Sequence, residues 1–178
     1  MTTTTEATPS IVPDFGDDAE VRKFAFICSK GNLDMAYPAL IMANGAVSEG
    51  AETNLFFTFW GLDMINKATQ DDLQFTMLGN TAMHMPGSEK HIPQGLGGLP
   101  GMTAYATKML KEQIAAVNVP EVPEFLRELH DMGARLWACK MSVDMMGLKP
   151  EDMMDEVEGI INVNDFLDLS EGAQIIFV

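Results

Sequence analysis

The residue of this sequence with the clearest chemical potential is Cys139, which ends a short apolar segment just before a helix start. Residues 135–139 have the composition of a buried strand, and residues 140–147 are typical of a short helix closed by glycine. Open α/β sheets place their ligands at the carboxyl ends of strands. The helix N-terminus and the adjacent Lys140 favour the thiolate, which is the nucleophilic form. Cys139 is therefore the candidate nucleophile, and a packed core cysteine is the alternative.

The second cysteine, Cys28, ends another apolar segment, residues 23–28. Because the carboxyl ends of parallel strands share one edge of a sheet, both cysteines are predicted at that edge. Strand order decides whether they are neighbours, and the sequence does not give it. A redox pair needs the two Cα atoms within roughly 7 Å of each other. The apolar residues before Cys28 favour a packed role for it.

A polar turn follows the first predicted strand, with the sequence Ser29-Lys30-Gly31-Asn32. Lys30 and the N–H groups at the next helix start are suited to an anionic sulfur or phosphate group, and Asn32 is a plausible N-cap. The glycine spacing of a P-loop or dinucleotide site is missing. We therefore predict Lys30, Gly31, Asn32 and Lys140 as substrate-binding residues around Cys139.

The histidines and methionines give weaker signals. His84 and His91 lie in a glycine- and proline-rich segment, residues 79–101, and His130 lies in a predicted helix. A His/Cys nucleophile pair is conceivable. The 15 methionines include clusters that would suit Cu(I), but methionine more often fills irregular apolar surface or a subunit interface. We predict neither a metal site nor a cofactor.

Composition bounds the class of protein. The chain has 178 residues, 47% of them hydrophobic, and a formal charge of -15. Such a charge argues against nucleic acid, whose phosphates are neutralised by lysine and arginine. The N-terminus lacks the regions of a signal peptide, and no apolar run approaches the roughly 20 residues that cross a membrane. Two cysteines are too few for a disulfide framework. These features predict a soluble cytoplasmic protein with reduced thiols.

The order of predicted elements indicates the fold. A strand over 23–28, a helix over 33–49 and a strand over 53–60 form a βαβ unit, in which the strands are parallel. The later predicted elements are a short helix over 62–68, helices over 102–117, 123–132 and 165–170, and strands over 135–139, within 157–163 and over 174–178. This pattern predicts an α/β fold with three layers, in which a doubly wound, mostly parallel sheet has about five strands. The Gly/Pro-rich loop and a helix form an insertion after the second strand. Residues 1–22 are predicted to be a flexible tail and residues 23–178 a single domain.

Four segments resemble signatures of the DsrE/DsrF-like sulfur-relay family, and in particular its longer soluble "peroxiredoxin-like" branch. They are SKGNLDMAYP at 29–38, FTFWGL at 57–62, LPGMT at 99–103 and ACKMSVDMMG at 138–147. The resemblance spans residues 23–178. It implies a DsrE-type fold, a homo-oligomer and a persulfide-carrying cysteine, which falls on Cys139. No family role carries over to Cys28 or His84, and the chain has no peroxidatic cysteine motif.

The chemistry and the resemblance together predict a cytoplasmic sulfur carrier or sulfurtransferase. It would hold sulfane sulfur as a persulfide on Cys139 and pass it to an acceptor thiol. The resemblance implies a TusA-like carrier protein as partner, and the acidic chain would suit a basic docking face. Two alternatives remain open at this point. One is a non-catalytic assembly or partner-binding subunit, and the other is a thiol redox protein that uses Cys28 with Cys139.

Overall fold

The computed structural model describes residues 21–84 and 89–178. Its centre is one sheet of five parallel strands in the order β4-β3-β2-β1-β5. The strands are β1 (Lys23–Cys28), β2 (Glu52–Phe57), β3 (Arg135–Cys139), β4 (Val157–Ile161) and β5 (Gln174–Phe177). The predicted five-stranded α/β architecture is confirmed.

Five α-helices connect and flank these strands in the described part of the chain. They are α1 (Leu33–Ser48), α2 (Met102–Ala116), α3 (Val122–Asp131), α4 (Lys140–Met146) and α5 (Val163–Leu169). Four 3₁₀ turns lie between them, at Phe59–Met64, Gln70–Asp72, Gln94–Gly98 and Pro150–Asp152.

The second strand is shorter than the sequence suggested. The aromatic run of residues 56–60 predicts a strand to Trp60, but β2 ends at Phe57. Phe59 has a positive φ of 46°, which is incompatible with an extended strand and begins the 3₁₀ turn. That turn covers residues 62–64 of the short helix expected over 62–68, and residues 65–68 are not helical. A tertiary contact explains the break, since the Phe59 N–H donates to the Ser142 hydroxyl 83 positions away, at 2.9 Å.

The path of the chain explains why helices cover both faces. From β1 to β4 the chain steps in one direction across the sheet, and α1, α3 and α4 pack on one face. After β4 it returns to the far side of β1, and α5 packs on the opposite face. Right-handed crossovers require this change of face when the direction reverses. The loops after β3 and β4 therefore diverge to opposite faces, which makes their carboxyl ends a topological switch point.

The two faces differ in how fully they are covered. The first face carries the larger core, in which Phe26, Leu55 and Leu136 pack beneath α1 and α3. The second carries a small cluster of Ala25, Phe56, Cys139 and Phe166. Its Phe56 and Phe166 rings stack with centroids 4.4 Å apart. Because side chains alternate along a strand, neighbouring residues of β2 contribute to different cores.

Part of the predicted tail and loop lies outside the description, namely residues 1–20 and 85–88. The described remainder of the 79–101 segment contains an antiparallel bridge between His84 and His91, whose ring centroids are 4.4 Å apart. Across residues 21–84 and 89–178, no helix has the length and apolarity needed to span a bilayer.

Candidate functional site

Cys139 is the last residue of β3 and the N-cap of α4. It therefore lies at the topological switch point between β3 and β4, where the register pairs it with Ile161. Strand alternation directs its side chain to the face covered by α5, among Phe56 and Phe166. Cys139 is nevertheless only 4% exposed.

Two hydroxyl groups meet beside Cys139. Thr58 follows β2, Ser142 lies in the first turn of α4, and their hydroxyl oxygens are 3.0 Å apart. The Ser142 oxygen also accepts the Phe59 N–H at 2.9 Å, so its own proton is available to another acceptor. This arrangement joins the end of β2 to the start of α4 and places two hydroxyl donors next to the sulfur.

The surroundings of Cys139 act on its thiol in opposite directions. Burial by itself raises the pKa of Cys139, because it disfavours the charged thiolate. Hydrogen bonding from the Ser142 N–H and hydroxyl, the Thr58 hydroxyl and the Met141 N–H outweighs burial, and the net pKa lies below the ordinary value. Cys139 is thus buried, and yet its nucleophilic thiolate forms at a lower pH than that of an unperturbed cysteine.

Cys28 has a different environment at the same edge of the sheet. It is 3% exposed and packs in the larger core, on the face opposite Cys139. Burial raises the pKa of the Cys28 thiol to about 12. β2 separates the two strands, so at ~4.8 Å per strand the two Cα atoms are about 10 Å apart. That distance is beyond the disulfide range and the side chains diverge, so the hypothesis of a Cys28/Cys139 redox pair is wrong.

The four predicted substrate-binding residues do not form one cluster. Lys140 is exposed and pairs with Asp144 at 3.0 Å, while Lys30 is exposed in the turn after β1. Gly31 packs so closely on the loop after β2 that an added Cβ would lie 2.4 Å from the Trp60 carbonyl oxygen. Asn32 is the N-cap of α1, but its side chain makes no capping hydrogen bond. Their role in binding stays a prediction.

Gly31 and Asn32 instead border a cleft of about 310 Å³ at the carboxyl edge of the sheet. Its other lining residues include Trp60, Asp63 and Asp72. Burial raises the pKa of Asp63, and a hydrogen bond from Thr69 partly opposes that effect. The described residues that line this cleft include two carboxylates and neither lysine nor arginine.

Four large apolar side chains are exposed on the two elements that hold the hydroxyl pair. We call Phe59, Trp60, Met141 and Met145 the apolar rim. Phe59 and Trp60 begin the 3₁₀ turn and are 46% and 65% exposed, while Met141 and Met145 on α4 are 62% and 58% exposed. Exposed aromatic and methionine side chains in one region are typical of surfaces that bind partners.

Thr58, Ser142 and Asp63 are candidate functional residues that the sequence alone did not indicate. Thr58 and Ser142 lie inside two of the signature segments, but hydroxyl residues are common in loops and helix starts. Only their convergence on Cys139 distinguishes them. Among the described residues, no group of three or more His, Cys, Asp or Glu side chains is arranged to hold a metal ion.

Comparison with known proteins identifies the family. Residues 20–177 match the DsrE/DsrF/DrsH-like family. The chain belongs to this family. It is 39% identical over 141 residues to the sulfur carrier protein DsrE2 of Allochromatium vinosum, covering 78% of this chain and 87% of that one. It is 26% identical over 161 residues to the uncharacterized protein YrkE of Bacillus subtilis, covering 89% of this chain and 98% of that one.

A solved structure supports the fold of this DsrE-family chain. The protein of unknown function MTH1491 from Methanobacterium thermoautotrophicum superposes with a TM-score of 0.52 at 11% identity. The match covers 88% of this chain and 99% of that one. At such low identity the likeness concerns the arrangement of strands and helices alone.

Proposed function

We propose that this protein is a sulfur carrier that holds sulfane sulfur as a persulfide on Cys139. The observation that carries the proposal is the pairing of a thiol of lowered pKa with hydroxyl and N–H donors at a strand end. Membership of the DsrE/DsrF/DrsH-like family and the 39% identity to a sulfur carrier protein support it.

The chemistry needs one cysteine and no net oxidation. The Cys139 thiolate attacks the sulfane sulfur of a donor, a new S–S bond forms, and the electron pair of the broken bond leaves with the donor's thiolate. An acceptor thiolate then attacks the outer sulfur of the Cys139 persulfide. The electron pair of the broken bond returns to the Cys139 sulfur, and the acceptor leaves as the persulfide.

The residues around Cys139 stabilise each anion in this sequence. The Thr58 and Ser142 hydroxyls and the N–H groups of Met141 and Ser142 donate toward a thiolate or persulfide. Lys140 is held by Asp144 and Lys30 is exposed, so we assign anion stabilisation first to the neutral donors. The chain would work in a reducing compartment, the cytoplasm, as a homo-oligomer that exchanges sulfur with a TusA-like carrier.

Intact mass spectrometry after treatment with polysulfide tests the proposal. Wild type and Cys28→Ala are expected to gain one or more sulfur atoms, and Cys139→Ala is expected to gain none. Removal of the added mass by dithiothreitol identifies it as sulfane sulfur. Loading that persists in Cys139→Ala would refute the assignment.

The exposed apolar rim favours a second candidate, a partner-binding subunit without sulfur chemistry. The same experiment separates the two functions. The binding subunit predicts no adduct on any variant and full biological activity of Cys139→Ala.

A further inference from the structure

The surface beside Cys139 combines an apolar rim with an acidic cleft, and Trp60 belongs to both. Phe59 and Trp60 directly follow Thr58, which acts on the Cys139 thiol. The Phe59 N–H is bonded to Ser142, so the turn is fixed to α4, which carries Met141 and Met145. The cleft begins on the other side of Trp60, where Asp63 and Asp72 line it.

We propose that this surface docks a carrier protein whose reactive cysteine is flanked by a lysine or arginine, with the basic side chain entering the Asp63/Asp72 cleft. The inference rests on the proposed function, and it names the chemistry of the protein with which Cys139 exchanges sulfur. The occupant is a macromolecule because the rim and the cleft together extend well beyond a single thiol.

Local charge complementarity is the first argument for a basic occupant. Asp63 and Asp72 face a cleft whose described lining residues include no cation, in a chain with a formal charge of -15. Asp63 is partly buried, so its carboxylate is incompletely solvated and gains from an incoming positive charge. The exposed face of Trp60 adds a cation–π surface at the same entrance.

Distance is the second argument. The loops that line the cleft follow β1 and β2, and Cys139 ends β3, so the strand ends that lead to the cleft and to Cys139 are one to two strand spacings apart across the sheet, about 5–10 Å. Residues two apart in an extended segment are about 7 Å apart at Cα. A basic residue two positions from a partner cysteine therefore reaches the cleft while that cysteine faces Cys139.

The burial of Cys139 makes the rim necessary for an efficient protein partner. Its side chain is 4% exposed, so an incoming thiol has to be held close to the carboxyl end of β3. Phe59, Trp60, Met141 and Met145 supply apolar contact area there, and methionine adapts to irregular surfaces.

Matched peptide acceptors test the proposal. Cys139 is first loaded with polysulfide, and the protein is then mixed with acetyl-Arg-Gly-Cys-Gly-Arg-amide or acetyl-Glu-Gly-Cys-Gly-Glu-amide. Each peptide thiolate attacks the outer persulfide sulfur, and mass spectrometry follows the gain of one sulfur atom by the peptide. The measured quantity is the rate ratio of basic to acidic peptide. The wild-type ratio is then divided by the ratio for each variant. This division cancels the difference in thiol pKa between the two peptides, because that difference is the same for every protein.

The wild-type ratio is expected to exceed that of Asp63→Asn/Asp72→Asn by roughly threefold to tenfold at low salt. The excess is expected to disappear in 1 M salt. Trp60→Ala is expected to slow both peptides. The matched control is Glu49→Gln/Asp131→Asn, which removes the same charge at the C-terminal ends of α1 and α3, helices that lead to the opposite edge of the sheet. It is expected to keep the wild-type ratio.

Three results would overturn the inference while leaving the proposed function intact. The first is an unchanged peptide rate ratio in Asp63→Asn/Asp72→Asn, and the second is an equal loss of that ratio in the control variant. The third is found with small acceptor thiols: a preference for cysteamine over 3-mercaptopropionate that depends on Asp63 and Asp72 as the peptide preference does. The last would assign the cleft to a small cationic thiol instead of a protein. Failure of wild type to load with polysulfide would refute the proposed function and this inference together.

Discussion

The two cysteines of this protein have almost the same exposure and opposite chemical character. Cys28 and Cys139 each end a strand at the same edge of the sheet, and each is less than 5% exposed. The pKa of Cys28 is raised to about 12, whereas the pKa of Cys139 is lowered. The difference arises from the polar donors. Cys28 lies among apolar side chains, and Cys139 adjoins two hydroxyls and two helix N–H groups.

This comparison shows that burial alone does not decide whether a cysteine is inert. A strand end followed directly by a helix start supplies N–H donors to its last residue, which is the situation of Cys139. A strand end followed by a turn does not, and Cys28 is separated from α1 by four residues. The local connection therefore accounts for the opposite shifts in the pKa values of the two cysteines.

The largest expected difference between the two thiols is in alkylation by iodoacetamide at pH 8. A pKa of about 12 leaves Cys28 with about one thiolate in ten thousand, and the greater intrinsic nucleophilicity of a more basic thiolate recovers part of that deficit. Cys139 is expected to react roughly 30- to 100-fold faster in the native protein, as measured by peptide mapping. Equal alkylation rates would mean that solvent exposure, and not the thiolate fraction, limits the reaction of both cysteines.

Substitution of Gly61 is expected to disturb the carboxyl end of β1 selectively, because Gly61 packs against the Cys28 carbonyl. A Cβ at Gly61 would lie 2.1 Å from the Cys28 carbonyl oxygen, so Gly61→Ala must displace backbone. It is expected to lower the free energy of unfolding by about 3 kcal/mol or more in urea titrations. Gly45→Ala is the control, since Gly45 lies in α1 with open space around it, and a gain of up to about 1 kcal/mol is expected there. A harmless Gly61→Ala would contradict the packing described.

Removal of a hydroxyl donor is expected to make the pKa of Cys139 more like that of Cys28. Ser142→Ala and Thr58→Val each delete a donor that stabilises the thiolate. Each is expected to raise the pKa of Cys139 by about one unit, equivalent to about 1.4 kcal/mol. The ultraviolet absorbance of the thiolate, titrated in a Cys28→Ala background, measures the change. Thr53→Val is the control, because the Thr53 hydroxyl bonds the Ala51 carbonyl in the protein interior. An unshifted pKa in both test variants would remove the hydroxyl pair from the site.

The smallest expected effect is on the pH dependence of stability, where the two cysteines have opposite signs. The folded-state pKa of Cys28 is raised to about 12 from 9.0, so its contribution to stability is complete below pH 9.0 and is lost as pH rises toward 12. Wild type is expected to lose about 1 kcal/mol relative to Cys28→Ala between pH 9 and pH 10. The lowered pKa of Cys139 acts oppositely, since its stabilisation is present above the unfolded pKa and is lost as pH falls through the folded one. Parallel denaturation curves of the two alanine variants would contradict both assignments.

The sequence was sufficient to predict the βαβ start, the five strands and the position of Cys139, because each depends on local patterns. Strand, glycine-ended helix and strand recur at short range from Lys23 to Phe57. Cys139 likewise precedes its own helix directly in the chain, so its placement needs no long-range information.

The relation between the cysteines could not be predicted in the same way. Residues 23–28 are apolar almost throughout, so alternation does not reveal which face Cys28 joins. The position of β2 between β1 and β3 depends on long-range pairing. The same holds for Thr58 and Ser142, which are 84 positions apart and meet through the turn at Phe59. The predicted substrate-binding roles of Lys30, Gly31, Asn32 and Lys140 stay predictions.

If Cys139 carries sulfur as we propose, its near-complete burial would distinguish the loaded protein from the unloaded one. An S–S bond is about 2 Å long, so a persulfide would extend the side chain by about that length beyond a sulfur atom that is almost entirely buried. We expect the unloaded protein to conceal its sulfur atom and the loaded protein to present the outer sulfur nearer the surface. An acceptor is therefore expected to distinguish loaded from unloaded protein by direct contact with the outer sulfur, without any rearrangement of the backbone. We expect few acceptor molecules to be held in unproductive encounters with unloaded protein.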